Sequence, residues 1–186
     1  MTEAQTRDQL RECQENNRLV TIRRNDLIDG VSEGFVIGLS NSLCLYQYFR
    51  DFFCDGYCVC RLQDITDIES GEKEAFFTRR AIALGYAVAG GTAPRFDTPL
   101  DSWSALLNKL QSENIHVGLH AEAEKSRAMT VGELIDVTNT KVVLRACSVL
   151  GEWHEENAVY EMDEISFLQF GDRYINAFQT FTEESS

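Results

Sequence analysis

The chain has 186 residues and a formal net charge of −13, because 30 acidic residues stand against 17 basic ones. A hydrophobic content of 44% excludes global disorder, and the negative charge disfavours nucleic-acid binding, since lysine and arginine normally contact the phosphates. No apolar segment is long enough for a membrane span or a signal peptide, so we expect a cytoplasmic protein with reduced cysteines and no membrane contact.

The first half of the chain is predicted to fold as one surface helix followed by short strands. Polar helix-forming residues predict the helix over 2–17. A turn at 26–30 and the dipeptide Asp55-Gly56, which tolerates positive φ and is typical of hairpins, separate the strands. The strand segments are rich in β-branched and aromatic residues and lie at 19–23, 34–49 with a polar bend at 40–42, 57–62 and 65–68.

Helical segments and a linker occupy the middle of the chain. Apolar residues at positions i, i+4 and i+7 predict a helix over 71–85. The glycine-rich segment 89–94 is typical of a linker. Another helix is expected to begin with Thr98 as its N-cap and to carry an apolar face as far as Leu110.

The second half repeats this organisation of strands followed by a helix. An apolar pattern from Tyr174 to Phe181 predicts the closing helix before a polar tail. A polar stretch at 121–127 interrupts the strands. These strands are expected at 115–119, 129–137, 141–148, 158–162 and 165–170.

The two halves share a sequence pattern that recurs about a hundred residues apart. The segment Gly34–Leu45 recurs as Gly132–Val143. Ile65-Thr66 returns as Ile165-Ser166, and Gly71-Glu72-Lys73 returns as Gly171-Asp172-Arg173. A repeat at fixed spacing indicates one supersecondary unit used twice.

Two short motifs within this repeat carry a family resemblance. The first is a glycine followed at fixed spacing by aliphatic and polar positions, filled by Gly34, Val36, Ser40, Leu43 and Cys44, and again by Gly132, Leu134, Thr138, Lys141 and Val142. The second reads Cys60-Arg61-Leu62 with Ile65 in one copy and Tyr160-Glu161-Met162 with Ile165 in the other. Over roughly 19–70 and 115–170 the chain resembles the Sm-like (LSm/Hfq-type) small β-barrel superfamily. The resemblance implies a mainly β fold of two tandem barrel units with flanking helices.

The same resemblance implies a base-binding pocket, but most of its residues differ here. In Sm-like proteins an Asp and an Asn of the first motif and an Arg-Gly of the second frame the pocket. This chain has Ser40 and Cys44 in one copy, beside Asn41, and Thr138 in the other, beside Asn139. Arg61 matches a pocket residue, whereas its counterpart is Glu161. The barrel-forming positions are kept and the RNA-reading positions are mostly replaced.

Other groupings give little support to a metal site or to catalysis. Cys54, Cys58 and Cys60 lack a second cysteine pair, and Cys58 and Cys60 are expected to share a buried face of a strand. His116 and His120 are expected to lie on a solvated strand face. No nucleophile elbow or phosphate-binding loop is present. We therefore expect no enzyme activity, no metal and no cofactor.

Four aromatic residues are candidates for a contact surface, namely Trp103, Trp153, Phe52 and Phe53. Phe52 and Phe53 in the first half and Trp153 in the second lie where a loop is expected to connect two strands. A large aromatic at a loop tip either packs back on its own unit, which we favour, or contacts a partner.

Taken together, these patterns predict a non-catalytic binding or assembly protein that acts through barrel edges and loop aromatics. Self-association or binding of a protein partner is expected, because exposed edge strands invite pairing. RNA binding with a degenerate pocket, and an acidic immunity or inhibitor protein against a basic partner, are the alternatives. The predicted domains are an N-terminal helix (1–18), a first unit (19–85), a linker and helix (86–114), a second unit (115–182) and a polar tail (183–186).

Overall fold

A computed structural model describes residues 2–24, 30–121 and 129–184. The predicted turn at 26–30, the polar stretch at 121–127 and the tail at 183–186 lie mostly outside the described residues. The helices are α1 (Glu3–Glu15), α2 (Glu72–Ala83), α3 (Trp103–Ser112) and α4 (Arg173–Glu184). The strands are β1 (Leu19–Arg23), β2 (Val31–Leu39), β3 (Leu43–Arg50), β4 (Phe53–Arg61), β5 (Asp67–Glu69), β6 (Val117–His120), β7 (Thr130–Val137), β8 (Lys141–Ala146), β9 (Ala158–Glu161) and β10 (Phe167–Phe170).

The ten strands form a single antiparallel sheet in the order β5-β1-β2-β3-β4-β10-β6-β7-β8-β9. The predicted mainly β class with flanking helices is confirmed. The sheet is open, with β5 at one end and β9 at the other, and is therefore not divided into two closed barrels. In the described part of the chain, no helix is both long and apolar enough to cross a bilayer.

Each half of the chain has the same order of elements, a helix, five strands and a closing helix. The sequence places the third helix in a linker, but α3 is the counterpart of α1. Two residues after the end of each helix lies an asparagine with positive φ, Asn17 after α1 and Asn114 after α3. In both cases the N–H of the next residue donates to a carbonyl oxygen in the last turn of the helix. The start of α3 is also later than predicted, because Ser102, not Thr98, accepts the capping bond from the N–H of Ala105.

The second and third strands of each half repeat in detail. A β-bulge adds one residue, Ile37 in β2 and Ile135 in β7, opposite β3 and β8. The turn that follows is closed by a hydroxyl, Ser40 Oγ in one half and Thr138 Oγ1 in the other. Each of these oxygens accepts a bond at 2.9 Å from the N–H three residues later. The sequence repeat therefore encodes a bent strand with its turn, because a bulge bends and twists the strand that carries it.

The hairpin between β3 and β4 turns at Asp51 and Phe52, not at the predicted Asp55-Gly56. Both turn residues have positive φ (50° and 71°). Asp55 and Gly56 lie inside β4, where the pairing with β3 shifts register. Gly56 does have the positive φ (71°) that its sequence context suggests, but it lies in this irregular part of β4 and not in the hairpin turn. A Cβ there would collide with the backbone of Asp172, at the start of α4.

Strands β3 and β4 bury both of their faces, and each face belongs to a different core. One face adds Cys44, Tyr46, Cys58 and Cys60 to the core of the first half, so the predicted shared, buried face of Cys58 and Cys60 is confirmed. The opposite face contributes to the core of the second half through Leu43, Leu45 and Val59. In return, Phe167 of β10 enters the first core. The two halves therefore share their cores instead of meeting at a polar linker.

A buried carboxylate holds α2 on the edge of the first half. Glu74 is buried and accepts bonds from the N–H of Gly71 at 2.8 Å and the hydroxyl of Thr21 at 2.8 Å. The Lys73 ammonium lies 3.5 Å away. Burial alone raises the pKa of Glu74, but the hydrogen bonds from Gly71 and Thr21, with the charge of Lys73, bring it below its usual value.

Adding a methyl group at the repeated glycine should destabilise both halves. A Cβ at Gly34 would overlap the carbonyl oxygen of Gln47, and one at Gly132 would overlap that of Arg145. We expect Gly34→Ala and Gly132→Ala each to lower the free energy of unfolding by about 1–3 kcal/mol, measured by urea denaturation. Val31→Ala, at an exposed position of the first bent strand, is the control and should cost less than about 0.5 kcal/mol. If the glycine variants and the control lost the same free energy of unfolding, steric crowding at the two glycines would be contradicted.

Glu74→Gln should change how stability depends on pH. Because folding lowers the pKa of Glu74, its carboxylate stabilises the protein above the unfolded-state pKa and loses this effect as pH falls through the folded-state pKa. We expect the variant to be less stable at neutral pH and the difference to shrink below about pH 4. Urea denaturation across pH measures this, with Glu72→Gln, an exposed residue of the same helical turn, as control. A difference that stays constant across pH would count against the charge effect.

Candidate functional site

The two halves meet at the seam, which we define as the paired strands β4 and β10. Val59 lies opposite Leu168 and Tyr57 lies opposite Phe170. Val59 and Leu168 are fully buried, and the rings of Tyr57 and Phe170 stack with their centroids 5.2 Å apart. At the seam, the fourth strand of the first half therefore pairs with the fifth strand of the second half.

Polar contacts at both ends of the seam fix its register. Arg61 donates from Nε to Asp64 at 2.7 Å and from Nη1 to the carbonyl of Asp163 in the other half at 2.9 Å. At the far end, Asp55 accepts from the backbone N–H of Arg173 at 3.0 Å. Burial raises the pKa of Asp172 beside it, and the charge of Asp55 raises it further. Arg61, the predicted base-pocket residue, is therefore engaged between the halves.

Strand β9 is the counterpart of β4, but it lies at an edge of the sheet. Its pairing with β8 repeats that of β4 with β3, so Val159 corresponds to Val59. Val59 has 0% of its surface exposed, whereas Val159 has 49% exposed. The same position is thus covered in one half and open in the other.

The backbone of β9 presents hydrogen-bonding groups on its outer side. The N–H of Glu161 bonds to its own neighbour Glu164 at 3.2 Å and not to β8, so it points away from the sheet. Directions alternate along a strand, and the N–H and C=O of Val159, two residues earlier, also point outward. We call the outer side of Ala158–Glu161 the β9 edge.

The hairpin that leads into β9 carries exposed apolar side chains at its tip. A bridge between Cys147 and Trp153 closes the hairpin beyond β8. At the tip, Val149 and Leu150 are 84% and 80% exposed. Apolar groups therefore lie beside an unpaired edge, in the strand connection that precedes it.

The opposite end of the sheet is covered by a side chain of α1. Gln9 donates from Nε2 to the carbonyl oxygen of Ile68 in β5 at 3.0 Å. From the matching ends of α1 and α3, the counterpart of Gln9 is Leu106, which is buried in the second core. An acceptor at the β5 edge is thus occupied within the chain, which is one way in which proteins protect edge strands.

The predicted turn residues lie at two separate turns of the sheet. Ser40 and Thr138 close their own turns through their hydroxyl groups. Asn41 is exposed and accepts a bond from Arg7 of α1 at 3.0 Å, and Asn139 is exposed. The structure does not bring these four residues together into one pocket.

Cys44, the other predicted pocket residue, is fully buried in the first core opposite Cys60. A hydrogen bond with Cys60 and burial raise the pKa of the Cys44 thiol well above its usual value. Burial raises the pKa of Cys54 to about 11. These thiols stay protonated near neutral pH and are poor nucleophiles and metal ligands.

The three predicted loop aromatics pack against their own chain. Phe52 contacts Phe77 of α2 with ring centroids 5.1 Å apart, and Phe53 stacks on Tyr86 at 4.2 Å. Trp153 is half-buried, with the Arg145 guanidinium 4.3 Å from its ring centroid. This is the fold-back arrangement that the sequence favoured.

Two histidines depart from their predicted exposure. His116 and His120 are expected on a solvated face, but both are buried. Both faces of β6 are packed, because Val117 and Leu119 lie in the second core and the opposite face lies against α4, where Gln179 accepts from the N–H of His116. The ring of His120 packs edge-on against Phe167 of the neighbouring strand, 5.3 Å between centroids.

Comparison with family models, curated proteins and solved structures finds no match to this chain. Within the described ranges, no group of three or more His, Cys, Asp or Glu side chains is placed to hold a metal ion. The seam and the β9 edge are the features that the structure itself offers as a candidate site. The sequence predicted contacts through strand edges but did not point to Val159. The feature of the sequence that bears on it is the repeat, in which Val159 aligns with Val59.

Replacing Arg61 should loosen the seam. Arg61→Met keeps the length of the side chain but removes its bonds to Asp64 and to the carbonyl of Asp163. We expect the free energy of unfolding to fall by about 1.5–3 kcal/mol in urea denaturation, since the largely buried Asp64 carboxylate loses the charged group that donates to it. Lys141→Met removes the exposed Lys141–Glu161 pair and is the control, expected to cost less than about 1 kcal/mol. Equal costs would argue against a structural role at the seam.

Proposed function

We propose that this protein is a non-catalytic binding or assembly module of Sm-like architecture that takes up an extended strand at its β9 edge. The strand would add to the sheet through backbone hydrogen bonds, as in β-strand addition generally. A second copy of the chain and another protein are the two possible donors of that strand.

The Sm-like assignment is supported by the repeated element order and by the details that recur within it. Each half has a leading helix, a second strand bent at a glycine and a bulge, and a fifth strand paired with the first. The pairing of a fourth strand with the fifth strand of the neighbouring unit also fits the edge pairing by which Sm-like barrels assemble. These likenesses bear on architecture and leave the ligand open.

The observation that carries the proposal is the contrast between the two copies of the fourth strand. Within residues 2–24, 30–121 and 129–184, the chain pairs β4 with β10 and pairs β9 with no strand other than β8. Val159 is 49% exposed where Val59 is fully buried, and the backbone groups of Val159 point outward. An edge with unpaired backbone groups and apolar side chains is a template for another strand.

The alternatives have less support. RNA binding is disfavoured because Cys44 is buried, Arg61 is bonded at the seam and the net charge is −13. For an inhibitor of a basic partner, the support is the acidic charge of the chain, a feature that is compatible with strand binding. We therefore keep strand binding as the function that the geometry favours.

A proline at the centre of the β9 edge tests the proposal. The N–H of Val159 points away from β8, so Val159→Pro should leave the β8–β9 hydrogen bonds intact while blocking an incoming strand. The probe is the fluorescent neutral peptide Ser-Gln-Thr-Val-Thr-Val-Gln-Ser, whose alternating centre favours an extended strand. We expect the wild-type protein to bind it and Val159→Pro to bind at least about tenfold more weakly in anisotropy titrations, because hydrogen bonds are lost.

The matched control is Val159→Thr, which keeps both the backbone N–H and a β-branched side chain. It should bind the peptide within about threefold of the wild type. Equal binding by all three proteins would overturn the β9 edge as the site. Light scattering on the same proteins identifies the strand donor, because a multiple of 21.1 kDa that is lost in Val159→Pro means a second copy.

A further inference from the structure

We infer that the strand which fits the β9 edge comes from another protein and is basic at its ends with an apolar residue at its centre. This inference rests on the proposed function, because it names the partner of the same edge. Three observations carry it, namely the charge around β9, the state of the opposite edge and the residues that replaced the seam contacts.

Acidic residues flank the β9 edge on both sides. The segment 155–164 contains five carboxylates and no basic residue: Glu155, Glu156, Glu161, Asp163 and Glu164. The nearest base on the adjacent strand is Lys141, whose ammonium lies 3.2 Å from the Glu161 carboxylate. Arg145, on the same strand, lies over the ring of Trp153. An incoming strand therefore meets an excess of negative charge at both ends of an apolar centre.

The seam contacts are not available to a second copy that docks as β10 docks on β4. At the seam, Leu43 lies beside β4 and enters the core of the other half. Its counterpart beside β9 is Lys141, which is exposed. A second copy seated in the same way would have to bury this ammonium where the seam buries a leucine, which is unfavourable. The outer face of β8 and β9 is therefore not built to share a core.

The β5 edge of a second copy is also a poor donor strand. Its acceptor at Ile68 is already bonded to Gln9. It carries Asp67 and Glu69, so it would bring more carboxylates to an acidic edge. Arg23 of the same copy already pairs with Glu69 at 2.7 Å.

Pairing of β9 with β9 of a second copy meets the same charge problem. In an antiparallel pair centred on Val159, Glu161 of each copy lies opposite Asn157 of the other, next to the acidic residues Glu155 and Glu156 that precede β9. Like charges from the two flanks are thus brought close together, which is destabilising. Each copy adds a net charge of −13 to this repulsion. Lysine or arginine at the strand ends would instead pair with these carboxylates.

Three synthetic peptides that differ in their end charges test the inference. All share the alternating centre Thr-Val-Thr-Val, which favours an extended strand. The basic peptide carries Lys-Arg before and Arg-Lys after this centre, the acidic peptide carries Glu-Asp and Asp-Glu, and the neutral peptide carries Ser-Gln and Gln-Ser. Each is labelled with a fluorophore and titrated with the full-length protein by anisotropy. We expect the basic peptide to bind at least about tenfold more tightly than the neutral one, and the acidic peptide not to bind.

Two protein variants locate the charge effect. Reversing the flank with Glu155→Lys, Glu156→Lys and Glu161→Lys together should weaken the basic peptide at least about tenfold and allow the acidic peptide to bind. The matched control reverses three exposed carboxylates on α1, with Asp8→Lys, Glu12→Lys and Glu15→Lys. This control changes the net charge equally and should leave peptide discrimination at β9 nearly unchanged.

Each outcome decides a different claim. If the basic and neutral peptides bind equally and Val159→Pro abolishes both, strand binding at β9 stands and the basic partner is wrong. If the basic peptide binds but Val159→Pro has no effect, the binding is diffuse attraction to an acidic surface, and both claims fail. Binding that weakens equally in the α1 control would also overturn the local role of the flank. A wild-type dimer lost in Val159→Pro would make a second copy the partner and overturn the inference.

Discussion

The pairing of β4 with β10 is the contact on which the rest of the molecule depends. It joins two units into one sheet and covers the outer face of the first unit with the core of the second. Because Leu43, Leu45 and Val59 lie in that second core, the first unit alone would expose them to water. The unpaired backbone of β4 would be exposed at the same time. The two halves are therefore expected to depend on each other for stability.

This dependence explains why the two copies diverged where they did. Residues that shape the bent strand recur, because both halves need the same local geometry at Gly34 and Gly132. The outer face of the fourth strand differs, because only one copy is covered by a neighbour. Leucine at position 43 is matched by Lys141, and the buried Val59 by the exposed Val159. The scaffold is thus repeated in both halves, and the outer position that a neighbour covers is Leu43 in one half where the uncovered half has Lys141.

The two free ends of the sheet differ in the same way. At the β5 end Gln9 donates to the carbonyl of Ile68, whereas at the β9 end the N–H of Glu161 is bonded to Glu164 and the backbone of Val159 points outward. Each end therefore has an outward backbone group bonded within the chain, and the two ends differ at Val159, the centre of the β9 edge.

Sequence periodicity by itself determined most of the strands and the repeat, because these depend on local alternation and spacing. It identified Cys58 and Cys60 as core residues for the same reason. The loop aromatics fold back through contacts with distant residues, Phe52 with Phe77 and Phe53 with Tyr86. The hairpin turn, the burial of His116 and His120 and the seam were decided by the tertiary structure. Asp55-Gly56 has the sequence of a turn, yet Gly56 lies inside β4, where its positive φ (71°) and the close approach of Asp172 both favour glycine. Which copy of the fourth strand is covered is a long-range property, since it depends on where a strand more than a hundred residues away comes to lie.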